Sequence, residues 1–431
     1  ETTSLFRHIH TMPPASVWAW NHGCIEKRQY FAPSQWECQE VLESEAFQSE
    51  FQQTLSTVLP RYISSKTQLG VSLTAGLDTR MVMAALPQRT QAPVCYTYTA
   101  ANRDVLDCTI AAEVARRMGL RHEALRVDED FFTDFAALAD KTVMVSDGCF
   151  GITGAHEVYL NAKARALGTV RLTGVFGGEV MRGVSTFKPS RFDTSLLAED
   201  IRADVVAARQ FLDGEPIHPV TAAAFREIPW NIFGSVAACK SQIEFRTPFL
   251  DNDLVALFYR MPAALRSSSQ VAERVIRELR PELAGVATDM GYLGDRPNWR
   301  RVLGKTWAKL TFKLDYYGND GMPCWLSTLD PLLDNCGIIG RHKYLRYRRW
   351  FRSSLADYVR ERLADSSVTQ SPLWNQKAIA ALAEEHITGR RNRQVEIDTI
   401  LTVAAIERLL LNNGVARAAV RKSPLTVPSG S

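Results

Sequence analysis

The sequence has little excess charge, no apolar run of membrane length and no closely paired cysteines. Its 51 basic and 47 acidic residues give a formal net charge of +4, so bulk charge favours neither nucleic acid nor a membrane surface as a partner. The eight cysteines include no C-x-x-C pair, which favours reduced thiols over a disulfide framework or a zinc site. No apolar stretch approaches the ~20 residues of a membrane span, and the first ten residues lack the apolar core of a signal peptide. We therefore expect a cytoplasmic protein. The chain begins with Glu1 rather than Met, which suggests a fragment.

Short β-rich runs alternate with stretches of helical period between about residues 68 and 184. The expected strands are LGVSLT, PVCYTYT, HEALRV and TVRLTGV, and the expected helices cover about 77–85, 105–118, 131–144 and 155–166. Such alternation is typical of a parallel sheet covered by helices. At 431 residues, 46% of them hydrophobic, the chain is long enough to bury a large core. We predict an α/β protein with a doubly wound, mostly parallel sheet.

The flanks of this unit have a different composition. Residues 1–45 look like two short strands and an exit segment, and residues 311–431 look like a mainly helical C-terminal extension, which leaves 46–310 for the α/β domain. The segment KYLRYRRWFR interleaves basic and aromatic residues, as nucleic-acid-binding segments do. The helical spacing of Tyr344, Tyr347 and Phe351 favours instead an amphipathic helix with a basic outer face. We expect no nucleic-acid partner, and we expect residues 421–431 to be disordered.

The stretch LGVSLTAGLDT raises the possibility of an anion site. In doubly wound sheets ligands bind at the carboxyl ends of the strands, and here a small turn, Thr74 to Gly76, separates a buried strand from a helix. Backbone N–H groups at a helix N-terminus favour anions, and nearby hydroxyls can add hydrogen bonds. Asp78 would repel a bare phosphate, which argues for an intervening Mg²⁺. The alternative is an ordinary strand-to-helix turn with a stabilising acid in the first helical turn.

Three segments resemble those of one enzyme family. SLTAGLDTR resembles the Ser-Gly-Gly-x-Asp-Ser loop of the ATP pyrophosphatases, which have an adenine nucleotide alpha hydrolase-like fold. EFRTPFLDNDLV, at 244–255, is similar to the Arg-x-Pro-Phe-Leu-Asp segment of asparagine synthetases, and LTGVFGGEVMRG, at 172–183, takes the place of that family's Ser-Gly-Glu-Gly-x-Asp-Glu-x-Phe-Gly-Gly loop. The segments follow the family's order and spacing, and the resemblance covers roughly residues 60–290.

The resemblance implies an ATP- and Mg²⁺-dependent ligase. In the family a substrate carboxylate attacks the α-phosphorus of ATP, giving an acyl-adenylate and pyrophosphate, and a nitrogen nucleophile then displaces AMP. Asp78 and Glu179 are implied as the catalytic and metal-binding residues, although a salt-bridged scaffold residue is an equal alternative for Glu179. The residues implied to bind the nucleotide are Ser72, Thr74, Ala75, Gly76, Asp78, Thr79, Tyr98, Thr99 and Gly174, with Tyr98 and Thr99 against the adenine. Asp107 matches a family Asp, although an acid at a helix start explains it equally well.

The N-terminal segment IHTMPPASVWAWNHGCIEKRQYFAP resembles the last hairpin and exit of the family's glutamine-hydrolysing domain. The nucleophile of that domain is an N-terminal Cys, whereas this chain starts with Glu1, so glutamine hydrolysis is not assigned here. The implied partners are a small-molecule or peptide carboxylate and ammonia or an amine, with a separate glutaminase domain as one source of ammonia.

Departures from the family pattern leave a second interpretation open. Val175 replaces the family's acid–base Glu, Gly178 replaces a metal-binding Asp, and Thr288 and Asp289 stand where a Lys faces pyrophosphate. A degenerate relative that binds a nucleotide or a partner without turnover would show the same changes. The acid, the amine, the pathway and the oligomeric state are not readable from the sequence.

Several further side chains are ambiguous. Arg80 and Arg182 are candidates for the missing basic group, with exposed surface arginines as the alternative. Arg246 is expected to be structural, holding Asp251 or Glu244. His156 lies where the substrate-facing segment of the family would pass, but a buried core or helix-end histidine is the simpler explanation.

Overall fold

The computed structural model describes residues 4, 6, 8–63, 68–87, 92–185, 192–210, 217–289, 291, 306–307, 310–315 and 340–411. The chain opens with an antiparallel hairpin of β1 (Ser16–Asn21) and β2 (Cys24–Gln29). This hairpin confirms the two short strands expected there. Most of its side chains are exposed, including Trp20 at 74%.

The main sheet has five parallel strands in the order β5-β4-β3-β6-β7. Its strands are β3 (Leu69–Ser72), β4 (Val94–Ala100), β5 (His122–Val127), β6 (Val170–Thr173) and β7 (Glu244–Arg246). The chain first winds from β3 outward to β5, then returns across the sheet to β6 on the other side of β3. The predicted fold class, a doubly wound parallel sheet, is confirmed.

Helices connect the strands and cover both faces of the sheet. Before β6 they are α1 (Ser34–Glu37), α2 (Ser44–Ile63), α3 (Leu77–Ala85), α4 (Leu106–Arg117), α5 (Glu129–Thr133), α6 (Phe135–Val145) and α7 (Ala155–Arg165). From β6 to residue 284 they are α8 (Gly177–Arg182), α9 (Glu199–Gln210), α10 (Pro219–Thr221), α11 (Phe233–Lys240), α12 (Asn252–Tyr259), α13 (Ala263–Arg266), α14 (Gln270–Leu279) and α15 (Pro281–Ala284). The described C-terminal helices are α16 (Tyr347–Trp350), α17 (Ala356–Leu363), α18 (Ser366–Thr369), α19 (Gln376–Ile379), α20 (Leu382–Ile387) and α21 (Gln394–Ile406). Single 3₁₀ turns lie at Ile152–Gly154, Thr194–Leu196 and Pro248–Leu250, and π-helical turns at Ala222–Asn231 and Glu407–Leu411.

Alternate residues of each strand enter two separate cores, as the period of two requires. Val71 of β3 and Leu172 of β6 point to one face, where α2, α3, α12 and α14 pack. Tyr96 and Tyr98 of β4 point to the opposite face, where they join α6, α7 and the C-terminal helices. The sheet therefore lies between two apolar layers. This double burial explains why its strands read as continuous apolar runs.

The helices after residue 346 pack on the second core and complete the cover of that face. The long amphipathic helix predicted over 342–352 is only partly right, because the helix covers Tyr347–Trp350 alone. Tyr347 and Phe351 are buried as expected and Arg349 is exposed, but Arg348 is also buried, at 6% exposure. The expected tail at 421–431 lies outside the described residues. The proposed domain boundaries stay a prediction.

Two features bear on the chain's environment. Within the described part of the chain, none of the helices has the length and hydrophobicity needed to cross a membrane. The six cysteines that the structure describes, at 24, 38, 95, 108, 149 and 239, are all free thiols, as the sequence predicts.

Candidate functional site

Two loops meet where the winding of the sheet reverses. β3 and β6 are neighbours, but one leads into α3 and the other into α8, so the loops after them leave side by side at the carboxyl edge. Such a reversal is where open α/β sheets bind ligands. The loops approach so closely that a methyl group on Gly174 would lie 2.5 Å from the Asp78 carbonyl carbon. Glycine at 174 is therefore required for this contact.

The loop after β3 directs two backbone N–H groups at oxygen atoms. Gly76, the residue before α3, donates its N–H to Thr74 Oγ1 at 3.3 Å, and Ala75 donates its N–H to Asp107 Oδ1 at 3.3 Å. Thr74 Oγ1 also lies 3.5 Å from Thr79 Oγ1. Both N–H groups therefore donate to side-chain oxygens, and one of these oxygens belongs to a carboxylate. Because helix N-terminal N–H groups bind anions when they face a ligand, anion binding by this turn stays a prediction.

Asp78, in the first turn of α3, lies largely buried at the junction of the two loops. Its Oδ2 accepts a hydrogen bond from Arg182 Nη2 at 2.8 Å, whereas its buried Oδ1 has no hydrogen-bond partner. Burial raises the pKa of this carboxyl, and Arg182 opposes the rise. A methyl group on Gly177 would lie 2.9 Å from Asp78 Cγ, so the second loop closes over the carboxylate. The unpaired oxygen is consistent with a site for an additional ligand.

Two more carboxylates lie around the loop. Burial and the nearby charge of Asp289 raise the pKa of Asp107 to about 6, while the N–H of Ala75 opposes the rise. Asp289 also lies within electrostatic reach of Asp78. In the sequence, Asp289 stands out only as a departure from a family Lys, and its closeness to Asp78 and Asp107 was not predicted. The available sequence signal was that Asp289 stands where the family has a Lys that faces pyrophosphate.

Arg80 turns out to be neither a free basic group nor a surface arginine. Its side chain is fully buried, and its guanidinium donates to the carbonyl oxygens of Val286 and Ala287, each at 2.6 Å. A longer bond, 3.4 Å, reaches the carbonyl of Ala75 in the loop. Arg80 therefore fixes the segment that carries Asp289 against the loop. Of the two arginines considered, only Arg182 has its guanidinium on a predicted ligand-binding side chain.

The loop after β6 is held in an unusual conformation. Phe176, which precedes α8, has φ of +77° and is buried at 2% exposure. A left-handed bulky residue costs conformational energy, and such residues cluster at functional sites. Glu179 follows in the first turn of α8 and lies within electrostatic reach of Asp78. Burial raises the pKa of Glu179 and the charge of Asp78 adds to the rise. Val175, at the position of the family Glu, is 39% exposed.

The EFRTPFLD segment supports this loop from behind. Thr247 donates its hydroxyl to the carbonyl oxygen of Val175 at 2.6 Å. Arg246 donates to Glu244 at 2.8 Å and to the Tyr62 carbonyl at 2.8 Å, so it holds one of the two expected carboxylates. Asp251, the other carboxylate, instead pairs with Arg61 at 3.3 Å. The segment has the structural role that the sequence predicted for Arg246.

Tyr98 and Thr99 do not turn their side chains toward the loop. The Tyr98 hydroxyl donates to Asn161 Oδ1 at 2.8 Å in the second core, and its ring is 8% exposed. Thr99 is fully buried, and its hydroxyl accepts the N–H of Val105 at 3.0 Å. Both side chains therefore have partners within the protein. The expectation that the end of β4, near Tyr98 and Thr99, lies against adenine stays a prediction.

Ser72 and His156, two further residues considered in the sequence, are both buried. Ser72 is 5% exposed in β3, directly before the loop. His156 is 8% exposed, and its Nδ1 lies 2.8 Å from the carbonyl oxygen of Thr153. Burial lowers the pKa of His156, which favours the neutral ring. His156 is thus a buried helix-start residue, in agreement with the simpler of the two explanations.

The fold defines a parallel α/β domain in which two loops meet at the switch point of the sheet. Residues 50–223 match the family model described as asparagine synthase, so this part of the chain is similar to that family. The recognition is confirmed over these residues, which include both loops, whereas the EFRTPFLD segment lies beyond the match.

Other comparisons add little. A solved structure of NMN synthetase from Francisella tularensis is similar at 12% sequence identity, over 60% of this chain and 99% of that chain, with a TM-score of 0.23. At this sequence identity and TM-score the similarity supports no conclusion about the fold, which is established by the strand order of the sheet. No match was found among curated proteins.

Proposed function

We propose that this chain is an asparagine synthetase-like ligase that activates a carboxylate with ATP and joins it to ammonia or an amine, releasing AMP and pyrophosphate. The observation that carries the proposal is the buried, partnerless Oδ1 of Asp78 at the meeting of the two loops. A buried carboxylate oxygen without a partner is costly unless a ligand completes it. The matched family supports a nucleotide as that ligand.

The residues present fit Mg²⁺ as a companion of the nucleotide. Asp78, Asp107, Asp289 and Glu179 all lie around the loop and would repel free ATP. The described residues hold no group of three metal-ligating side chains, so Asp78 would share the ion with phosphate oxygens and water. Mg²⁺ is commonly held in this way, by one or two carboxylates and the phosphates of its nucleotide. When bound, it supplies positive charge to the phosphate oxygens.

The chain's own residues have distinct roles in the proposed reaction. The N–H groups and hydroxyls of 74–79 orient the phosphates, and Arg182 balances charge on the departing pyrophosphate in place of the family Lys. A carboxylate oxygen of the substrate attacks the α-phosphorus, and the bond to pyrophosphate breaks. The nitrogen nucleophile then attacks the acyl carbon, AMP leaves, and the nitrogen loses a proton. Glu179, whose pKa is raised, is the carboxylate we propose as acceptor of that proton.

Calorimetry with MgATP on the wild-type chain and on Asp78→Asn tests the proposal. The substitution preserves shape and removes the charge, so we expect affinity to fall at least about tenfold. Asp134→Asn, an exposed acid at the start of α6, is the matched control and should bind as the wild type does. Equal MgATP affinity in Asp78→Asn and wild type would contradict the proposal. MgATP binding without pyrophosphate release would favour the degenerate, nucleotide-binding alternative.

A further inference from the structure

A cavity of about 460 Å³ lies at the carboxyl ends of β4 and β5, outside the two loops described above. Its floor is formed by the segment after β4, from Ala100 to Arg103, and by Val127. Its other wall comes from the C-terminal region, between Tyr344 and Ser354. This volume lies in the range of pockets for drug-sized ligands and is more than a free amino acid needs.

The lining of the cavity is mainly cationic. Three arginines line it, Arg103, Arg346 and Arg349, and Glu129 is the acid among the described lining residues. Asp315 acts on Arg103 and Arg346, but its carboxylate also accepts the backbone N–H groups of Gly340, His342 and Lys343. Burial and the nearby Arg346 lower the pKa of Arg103. Planar guanidinium groups suit carboxylates, so this lining favours an anionic ligand.

Aromatic side chains supply the apolar part of the lining. Phe132, Tyr344 and Trp350 all line the cavity, and the Phe132 and Trp350 rings pack edge to face with centroids 5.3 Å apart. Such a wall binds an apolar body, whereas the arginines bind a charged end. The combination favours an amphipathic anion over an inorganic one.

The position of the cavity connects it to the loop of Asp78. β3 and β4 are hydrogen-bonded neighbours, and adjacent strands are ~4.8 Å apart. The segment after β4 contributes Arg103 to the cavity and, four residues later, Asp107 to the N–H of Ala75. A ligand in the cavity would therefore lie beside a nucleotide held by the loop. A substrate with one carboxylate at the α-phosphorus can extend into this space.

We propose that this arginine-lined cavity binds the non-reacting anionic end of the acid substrate, and that this acid is larger than a free amino acid and carries at least two anionic groups. The inference rests on the proposed ligase function. It assigns substrate selection to residues of the C-terminal region, Arg349 and Trp350 among them, together with Arg103. Three arginines pair more strongly with an anion than with a neutral adenine base, so we assign the cavity to the acid.

The test is calorimetry with two probes that share an aromatic benzoyl ring. N-benzoyl-L-aspartate has two carboxylates, whereas N-benzoyl-L-alaninamide has no carboxylate. We expect saturable binding of the first probe and at least about tenfold weaker binding of the second. Arg349→Ala and Arg103→Ala should each weaken the first probe about tenfold or more, with MgATP affinity within about twofold of wild type. Arg116→Ala removes an exposed arginine that pairs with Glu113, and it is the charge-matched control. Thermal melts confirm that each variant is folded.

Several results would overturn the inference. They are a lack of saturable binding, equal binding of the two probes, and wild-type binding of N-benzoyl-L-aspartate by both arginine variants. A parallel loss of MgATP affinity in the arginine variants would assign the cavity to the nucleotide. Asp78→Asn separates the two proposals, because it should lose MgATP and keep the probe. If wild type fails to bind MgATP while arginine-dependent probe binding persists, the proposed ligase function fails and the anion site remains.

Discussion

Asp107→Asn should stabilise the protein at neutral pH and lose this effect in acid. The substitution keeps an oxygen acceptor for the Ala75 N–H, and it removes a buried charge that Asp289 repels. The pKa of Asp107 is raised from 3.8 to about 6 in the folded state. Because each pKa unit corresponds to about 1.4 kcal/mol, the ionised carboxylate costs about 3 kcal/mol of unfolding free energy.

The sign and the pH window follow from the two pKa values. Below about pH 3 the carboxyl is protonated in both the folded and unfolded states, so its charge costs almost nothing. As the pH rises, the unfolded chain ionises first, and the cost grows until the folded-state pKa of about 6 is passed. The advantage of Asp107→Asn should therefore be about 1.5 kcal/mol near pH 5 and about 3 kcal/mol above about pH 7.

Urea unfolding of the wild type and Asp107→Asn at several pH values between about 5 and 8 measures this difference. Asp134→Asn, the exposed control, should change the unfolding free energy by less than about 0.5 kcal/mol at every pH. The reasoning is refuted if Asp107→Asn is no more stable than wild type at neutral pH. A gain in stability that is the same near pH 5 and near pH 8 would also refute it.

Three other substitutions test the architecture of the site. Gly174→Ala places a methyl group 2.5 Å from the Asp78 carbonyl carbon. We expect the free energy of unfolding in urea to fall by about 1–3 kcal/mol and MgATP binding to weaken. Unchanged values would show that the two loops can separate freely. Arg80→Met removes a buried guanidinium from three backbone carbonyls and should cost about 3 kcal/mol or more, with faster hydrogen exchange around 286–287; normal exchange there would exclude the fixing role. Arg182→Gln should weaken pyrophosphate binding in calorimetry about tenfold, whereas Arg116→Gln should not; equal effects would point to bulk charge rather than to the site.

The order of strands and helices was predictable because it depends on local pattern. The strands buried on both faces read as apolar runs, and the helix predicted over 77–85 begins and ends as expected, at Leu77 and Ala85. The turn after β3 also lies where the sequence predicts it, between a buried strand and a helix. These features need only neighbouring residues to be recognised.

The contacts that define the site depend on the fold and were not visible in this way. Asp78 and Arg182 are 104 residues apart, and only the adjacency of β3 and β6 brings them together. Arg80 resembled a surface arginine because its acceptors, the carbonyls of Val286 and Ala287, lie about 200 residues further along the chain. Every residue has a backbone carbonyl, so the sequence does not show which carbonyls accept hydrogen bonds from Arg80.

The face that the Tyr98 side chain takes was not readable from the sequence for a different physical reason. Successive side chains of a strand point to opposite faces of the sheet. In a strand that is buried on both faces, no alternation of polar and apolar residues shows which residues point to which face. The same limit applies to the short helix α16, where Arg348 is buried beside the exposed Arg349. The arginine-lined cavity was hidden because its two walls come from distant parts of the chain.

The most direct test of the central claim is isotope exchange between labelled pyrophosphate and ATP, catalysed by the wild-type chain with Mg²⁺ and an acid. Aspartate and N-benzoyl-L-aspartate are the acids to compare, and Asp78→Asn is the control. Adenylation predicts exchange that requires the acid, with AMP rather than ADP as the nucleotide product, and no exchange in the variant. Formation of ADP, or MgATP binding without exchange with either acid, would contradict the account.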